Sequence, residues 1–211
     1  MSGAAVFHAG QLARNLLAGV RLALFLPVRA EAFRASPGQF VLLALLNFAA
    51  WVAAAGVRSG FAGEFQPSAA GVYLGNVALV LATAFLVAQA YRMPERLILL
   101  AVALSSSDVL FDLVALALVA AGAADQHARV LYAGFVVWAW LASLRAAVVA
   151  CGWRAPGVYL AGFAVTAMTV VALLVVPDAE VWEPPDDDED QLEANIRSTA
   201  NTTREPCAHH D

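Results

Sequence analysis

The sequence has no lysine: all twelve basic residues among its 211 are arginines. Charge of either sign is scarce, at 14% of residues against about 25% in soluble domains. Cysteine is nearly absent too, with only Cys151 and Cys207, so no disulfide framework is implied. No G-x-S-x-G, H-E-x-x-H, Walker loop or G-x-G-x-x-G is present, and His8 and His127 stand alone. Those absences remove the familiar hydrolase, metalloprotease, nucleotide and dinucleotide readings, and no enzyme, cofactor or nucleic-acid partner is expected. Cys207, His209, His210 and Asp211 sit at the end of a polar tail with no supporting groups, so no metal site is expected there.

Apolar residues make up 61% of the chain and its mean hydropathy is +0.70, which points to a polytopic membrane protein. Five spans are predicted, over 40–57, 72–91, 97–123, 130–151 and 157–176, separated by short loops and closed by Pro177. The first Arg falls at position 14 and the next, Arg21, lies inside an apolar run, unlike a cleavable signal peptide. Over 5–26, His8, Gln11, Arg14, Asn15 and Arg21 make a polar stripe opposite Val6, Leu12, Leu16, Leu17, Val20 and Leu24. That pattern predicts an amphipathic helix in the interface plane, ended by Pro27; a sixth short span is the alternative, which Arg14 and Arg21 disfavour.

The fold expected is an all-α membrane protein. Residues 1–36 form the interfacial segment, 37–177 the five-helix transmembrane domain and 178–211 a disordered acidic tail. Through residue 176 ten Arg face six acids, whereas the remainder holds two Arg and eleven acids, including the block 186–190. A segment so charged and so poor in apolar residues does not bury enough surface to offset chain entropy. Arg14, Arg21, Arg29, Arg34, Arg92, Arg96 and Arg154 fall on one side of the predicted spans, with Arg145 reaching toward it, and only Arg58 and Arg129 on the other. The positive-inside rule then puts the N-terminus in the cytoplasm and the C-terminus in the periplasm of a bacterial inner membrane.

The stretch 97–123 organises the chain. At about 1.5 Å per residue it extends roughly 40 Å, longer than the ~30 Å hydrocarbon core, which predicts a tilted or locally broken helix. It carries Asp108 and Asp112, four apart on one face, with Ser105 a turn earlier and Ser106 and Ser107 beside it. An intramembrane carboxylate costs about 2.5 kcal/mol or more, so this face is expected to look inward. Arg145 on the next span is the obvious partner. Asp108, Asp112 and Arg145 therefore form a candidate intramembrane cluster, read as an ion pair that fixes helix packing, as a proton or ion relay, or as a contact with a partner or lipid head group. Ser105, Ser106, Ser107, Asn47, Asn76 and Gln89 are candidate polar links between helices.

The phrase FLPVRAEAFRASPGQFVLLALLNF at 25–48, the amphipathic lead-in and the short loops resemble the YIP family of five-span membrane proteins, by hydropathy plan over about residues 20–176. The resemblance implies a cytoplasmic N-terminus and closely packed spans. SSDVLFDLV at 106–114 and VVPDAEVWEPP at 175–185 are also similar to the membrane portion of bacterial proteins that carry a legumain-like cysteine peptidase domain; Cys207, His209 and His210 do not form that family's site. The expected role is a scaffold, anchor or membrane-organising module, with the bilayer, other membrane proteins or a second copy as partners. A small transporter or channel-like subunit using the Asp/Arg cluster, and the membrane anchor of a truncated peptidase-type protein, are the alternatives.

Overall fold

A computed structural model describes residues 3–59, 64–120, 128–153, 155–175 and 182–183. It contains α1 (Gly3–Ala23), α2 (Pro37–Ser59), β1 (Glu64–Phe65), α3 (Pro67–Ala90), α4 (Leu97–Ala120), α5 (Ala128–Cys151), α6 (Ala155–Val175) and β2 (Trp182–Glu183). Helices dominate because in lipid every backbone N–H and C=O needs a partner within its own segment. Among the described residues four stretches are long and apolar enough to cross a membrane: Pro37–Val57, Pro67–Ala90, Pro94–Leu118 and Gly134–Cys151. A shorter apolar stretch, Gly157–Ala167, lies in α6.

Helix ends follow local chemistry. Ser36 caps α2, its Oγ accepting the Gln39 N–H at 3.2 Å, and Pro37 takes the first helical position, where a missing N–H costs nothing. α1 and α3 close in the same way. The Leu26 N–H returns to the Arg21 carbonyl at 2.8 Å and the Met93 N–H to the Ala88 carbonyl at 2.9 Å, with Phe25 and Arg92 in the left-handed region at φ 57° and 55°. This six-to-one closure usually recruits glycine, and here it is built on residues that carry side chains.

α4 is the hub. In its hydropathic window 61% of residues are buried, against 17–33% in the other three. It runs unbroken over its described 24 residues, so of the two ways expected to fit a long span, a local break is not the one used there. Around it small side chains make up much of the core, with Ala18, Ala23, Ala84, Ala88, Ala101, Ala103, Ala142, Ala146, Ala147, Ala150 and Ala161 buried beside larger Leu22, Leu43, Leu100 and Phe111. Large apolar side chains face outward on every helix, among them Leu17, Leu45, Leu74, Leu113, Val137 and Phe163. Small inside and large outside is the distribution expected when the solvent is lipid, because burying a large side chain gains little there and close helix approach gains packing.

α1 packs along α4 and α5, which the sequence expectation of a helix lying across the membrane surface does not describe. Gly19 meets α4 at Ser106 so closely that any Cβ would overlap the Ser106 backbone. Ala18, Leu22 and Ala23 are buried on this face, while Leu17 and Leu24 of the expected apolar face are about half exposed. The polar stripe is divided as well: Arg14 and Arg21 are exposed and Asn15 is fully buried.

β1 and β2 pair antiparallel, Glu64 opposite Glu183 and Phe65 opposite Trp182. Two residues of the segment expected to be disordered are thus tied to the connection before α3. Residues 184–211, with the acid block, Cys207, His209 and His210, lie outside the described residues, as does the 121–127 connection with His127.

Candidate functional site: a polar band across the bundle

Within the serine run, the Ser106 Oγ donates to the Ala103 carbonyl at 3.0 Å, and the Ser107 Oγ is shared between the Ala103 and Leu104 carbonyls at 3.2 and 2.7 Å. Both hydroxyls are satisfied on their own helix. Their contribution is steric, since a small, internally bonded surface lets α1 approach at Gly19. Ser105 links helices through its backbone, its carbonyl accepting the Asn47 Nδ2–H from α2 at 3.1 Å.

One and two turns further along α4 stand Asp108 and Asp112, both partly exposed. Each acts electrostatically on the Tyr73 phenol of α3, and Asp108 acts on Asp112, so the three groups share one neighbourhood. Tyr73 donates its own hydroxyl proton to the Ala44 carbonyl of α2. Its ring completes an aromatic group with Phe48, centroids 4.9 Å apart, and Trp51, 5.9 Å apart. The band therefore spans α2, α3 and α4.

Arg145 is elsewhere. Its guanidinium donates to the Leu26 carbonyl and lies 5.3 Å from the Phe25 ring centre. No ion pair joins it to Asp108 or Asp112 among the described residues, so the expected three-residue cluster separates into an acid pair and a distant Arg. The physical reason is competition. Where the chain reverses after α1 it leaves carbonyls without helical partners, and Arg145 satisfies one of them while the Trp138 indole N–H takes the Ala23 carbonyl at 2.8 Å. Trp138 is itself held edge-on by Phe111 at 4.9 Å.

A second polar group holds the other end of that return segment. Arg14 donates to the Ala32 carbonyl at 3.0 Å and to the Glu31 carbonyl at 3.1 Å. Buried Asn15 accepts the Arg34 N–H at 2.7 Å and donates to the Arg34 carbonyl and to Gln39 Oε1, both at 3.2 Å. Asn47 thus links helices as expected. Asn76 is partly exposed and Gln89 exposed, and neither makes an interhelical hydrogen bond among the described residues.

Sequence reasoning missed Tyr73, Gly19 and the bonding role of Asn15. A tyrosine near a span end reads as an interfacial anchor, and nothing in a one-dimensional pattern turns its hydroxyl toward the Ala44 carbonyl of the preceding helix or sets its ring near the acids of the next. No group of three or more His, Cys, Asp or Glu able to hold a metal occurs among the described residues. No family model, curated protein or solved structure matches the chain.

Proposed function

We propose that this chain is a five-span inner-membrane protein that acts as an anchor, scaffold or membrane-organising module, with the bilayer and a second membrane protein or copy as its partners. The observation that carries this reading is how its polar side chains are used. Arg14, Asn15 and Arg145 bond the backbone of the segment that follows α1, Trp138 bonds the last residue of α1 itself, and Asn47 bonds α2 to α4. These groups fix one helical arrangement rather than surround a reacting atom. The YIP-like plan belongs to this proposal, and the β1–β2 pair supports it: four helices lie between the two strands, and an even number of crossings returns the chain to the same face.

The small-transporter reading is favoured by one observation, the lack of a basic partner for Asp108 and Asp112 among the described residues. Topology tests the main reading. Reporters fused after Gly63, Asp125 and Asp178 are expected to be periplasmic and those after Pro94 and Pro156 cytoplasmic, with the protein retained in membranes through alkaline extraction. A cytoplasmic reporter after Asp178 would overturn the five-span arrangement, and release by alkali would overturn the integral-membrane role.

A further inference from the structure

We propose that Asp108, Asp112, Asn47 and Tyr73 form an intramembrane binding site for a hard, oxygen-seeking metal cation of the alkali or alkaline-earth class. This goes beyond the anchoring role and does not depend on it.

The argument is an account of donors and acceptors. Asn47 is 7% exposed, and its amide N–H₂ is directed to the Ser105 carbonyl. A helical carbonyl points toward the C-terminus, so this bond holds Asn47 against the turn of α4 that carries Asp108. Its Oδ1 is buried with no hydrogen-bond partner. A buried, unpartnered amide oxygen carries an uncompensated desolvation cost, and its retention needs a reason.

Tyr73 is arranged in the same sense. Its only proton goes to the Ala44 carbonyl, so toward the two acids the phenolic oxygen can act only as an acceptor, an oxygen that the Phe48 backbone N–H also faces. Asp108 and Asp112 add four carboxylate oxygens on one helix face. With both carboxyls ionised the four side chains offer oxygens and no free donor, and Arg145, the cation the sequence suggested, is engaged away from them at Leu26 and Phe25.

A set of this kind is completed by a positive charge. The ligand atoms are all oxygen, which suits Na⁺ or Ca²⁺ and is unsuited to the soft divalent metals that seek Cys and His. Asn47, Tyr73 and the acids come from α2, α3 and α4, so a bound cation would also tie the three helices together. Binding to the folded state alone must raise stability in proportion to the logarithm of cation concentration above its dissociation constant.

The test uses the full chain in lipid nanodiscs, with NaCl and CaCl₂ compared against choline chloride at equal ionic strength. Two readouts are followed: the thermal unfolding midpoint, and incorporation of a hydrophobic carbodiimide, which reacts with protonated carboxyls in apolar surroundings, located by mass spectrometry. The expected result is that Na⁺ or Ca²⁺, and not choline, raises the midpoint saturably and lowers labelling of Asp108 and Asp112 at least fivefold. Asp112→Asn should remove both effects. Tyr73→Phe, which keeps the ring packing, should weaken them and covers the case in which Asp112→Asn does not fold. Labelling that is equal in all three salts, with no shift in midpoint, would mean that protons alone neutralise the acids and would overturn the proposal. A midpoint shift that persists undiminished in both variants would place the cation elsewhere and overturn it equally.

Discussion

At the residue scale, Gly19 decides how closely α1 approaches the hub. Its missing Cβ is filled by the Ser106 backbone, which a side-chain rotation does not move aside. Gly19→Ala must therefore shift a whole helix, and by analogy with overpacked cores we expect a loss of about 1–3 kcal/mol. Gly10 on the same helix has nothing within 4 Å of a Cβ, so Gly10→Ala should be neutral or slightly stabilising. Thermal unfolding of the two variants in one detergent checks this, and equal midpoints would show that the close approach has no energetic weight. Two glycines in similar sequence surroundings thus have opposite expected outcomes, and only the packing partner separates them. Asp108 and Asp112 stand out in the sequence because their cost in lipid allows few placements, and the structure leaves both partly exposed, whereas Gly19 reads in the sequence merely as a weak helix former.

At the scale of elements, the unexpected feature is the return after α1. Ser106 lies nine residues along α4 from Leu97 and Trp138 thirteen residues from Cys151, so the contacts of Gly19 and Ala23 stand about 13 and 20 Å from the end of the bundle that carries the α3–α4 turn. Arg145, six residues from Cys151, reaches Leu26 at about 9 Å on the way back. α1 thus climbs partway up the bundle and the chain descends beside it, with Arg14 and Asn15 holding the lower end. The residue pattern groups Arg14, Asn15 and Arg21 on one stripe and does not show that Asn15 is buried against the return segment, because the carbonyls exposed by a chain reversal leave no mark in it. Arg145→Gln should cost about 1–2 kcal/mol through the lost carbonyl and ring contacts. Combined with Asp108→Asn, its effect should simply add. A coupling energy above about 0.5 kcal/mol in the double-mutant cycle would restore the ion pair that the sequence suggested.

At the scale of the whole molecule, fold class was legible because lipid permits so few backbone arrangements, and spans over α2 to α5 were found from apolar length alone. The number of crossings was less accessible: apolar length does not by itself show whether α6 passes through or how the following segment is placed. The two-residue ladder bears on this directly, since its strands flank α3 to α6. With Cys151→Ala and Cys207→Ser as background, Phe65→Cys and Trp182→Cys stand opposite each other across the ladder, a spacing that suits a disulfide. Under mild oxidation in native membranes the pair should cross-link within one chain and resist a reductant that does not cross the cytoplasmic membrane only if it sits on the inner face. On the five-span reading it sits outside, and the impermeant reductant should open it in intact spheroplasts. No cross-link would separate the two strands, and one that the reductant fails to reach until the membrane is broken would place both of them on the inner face, and with them the tail that follows α6.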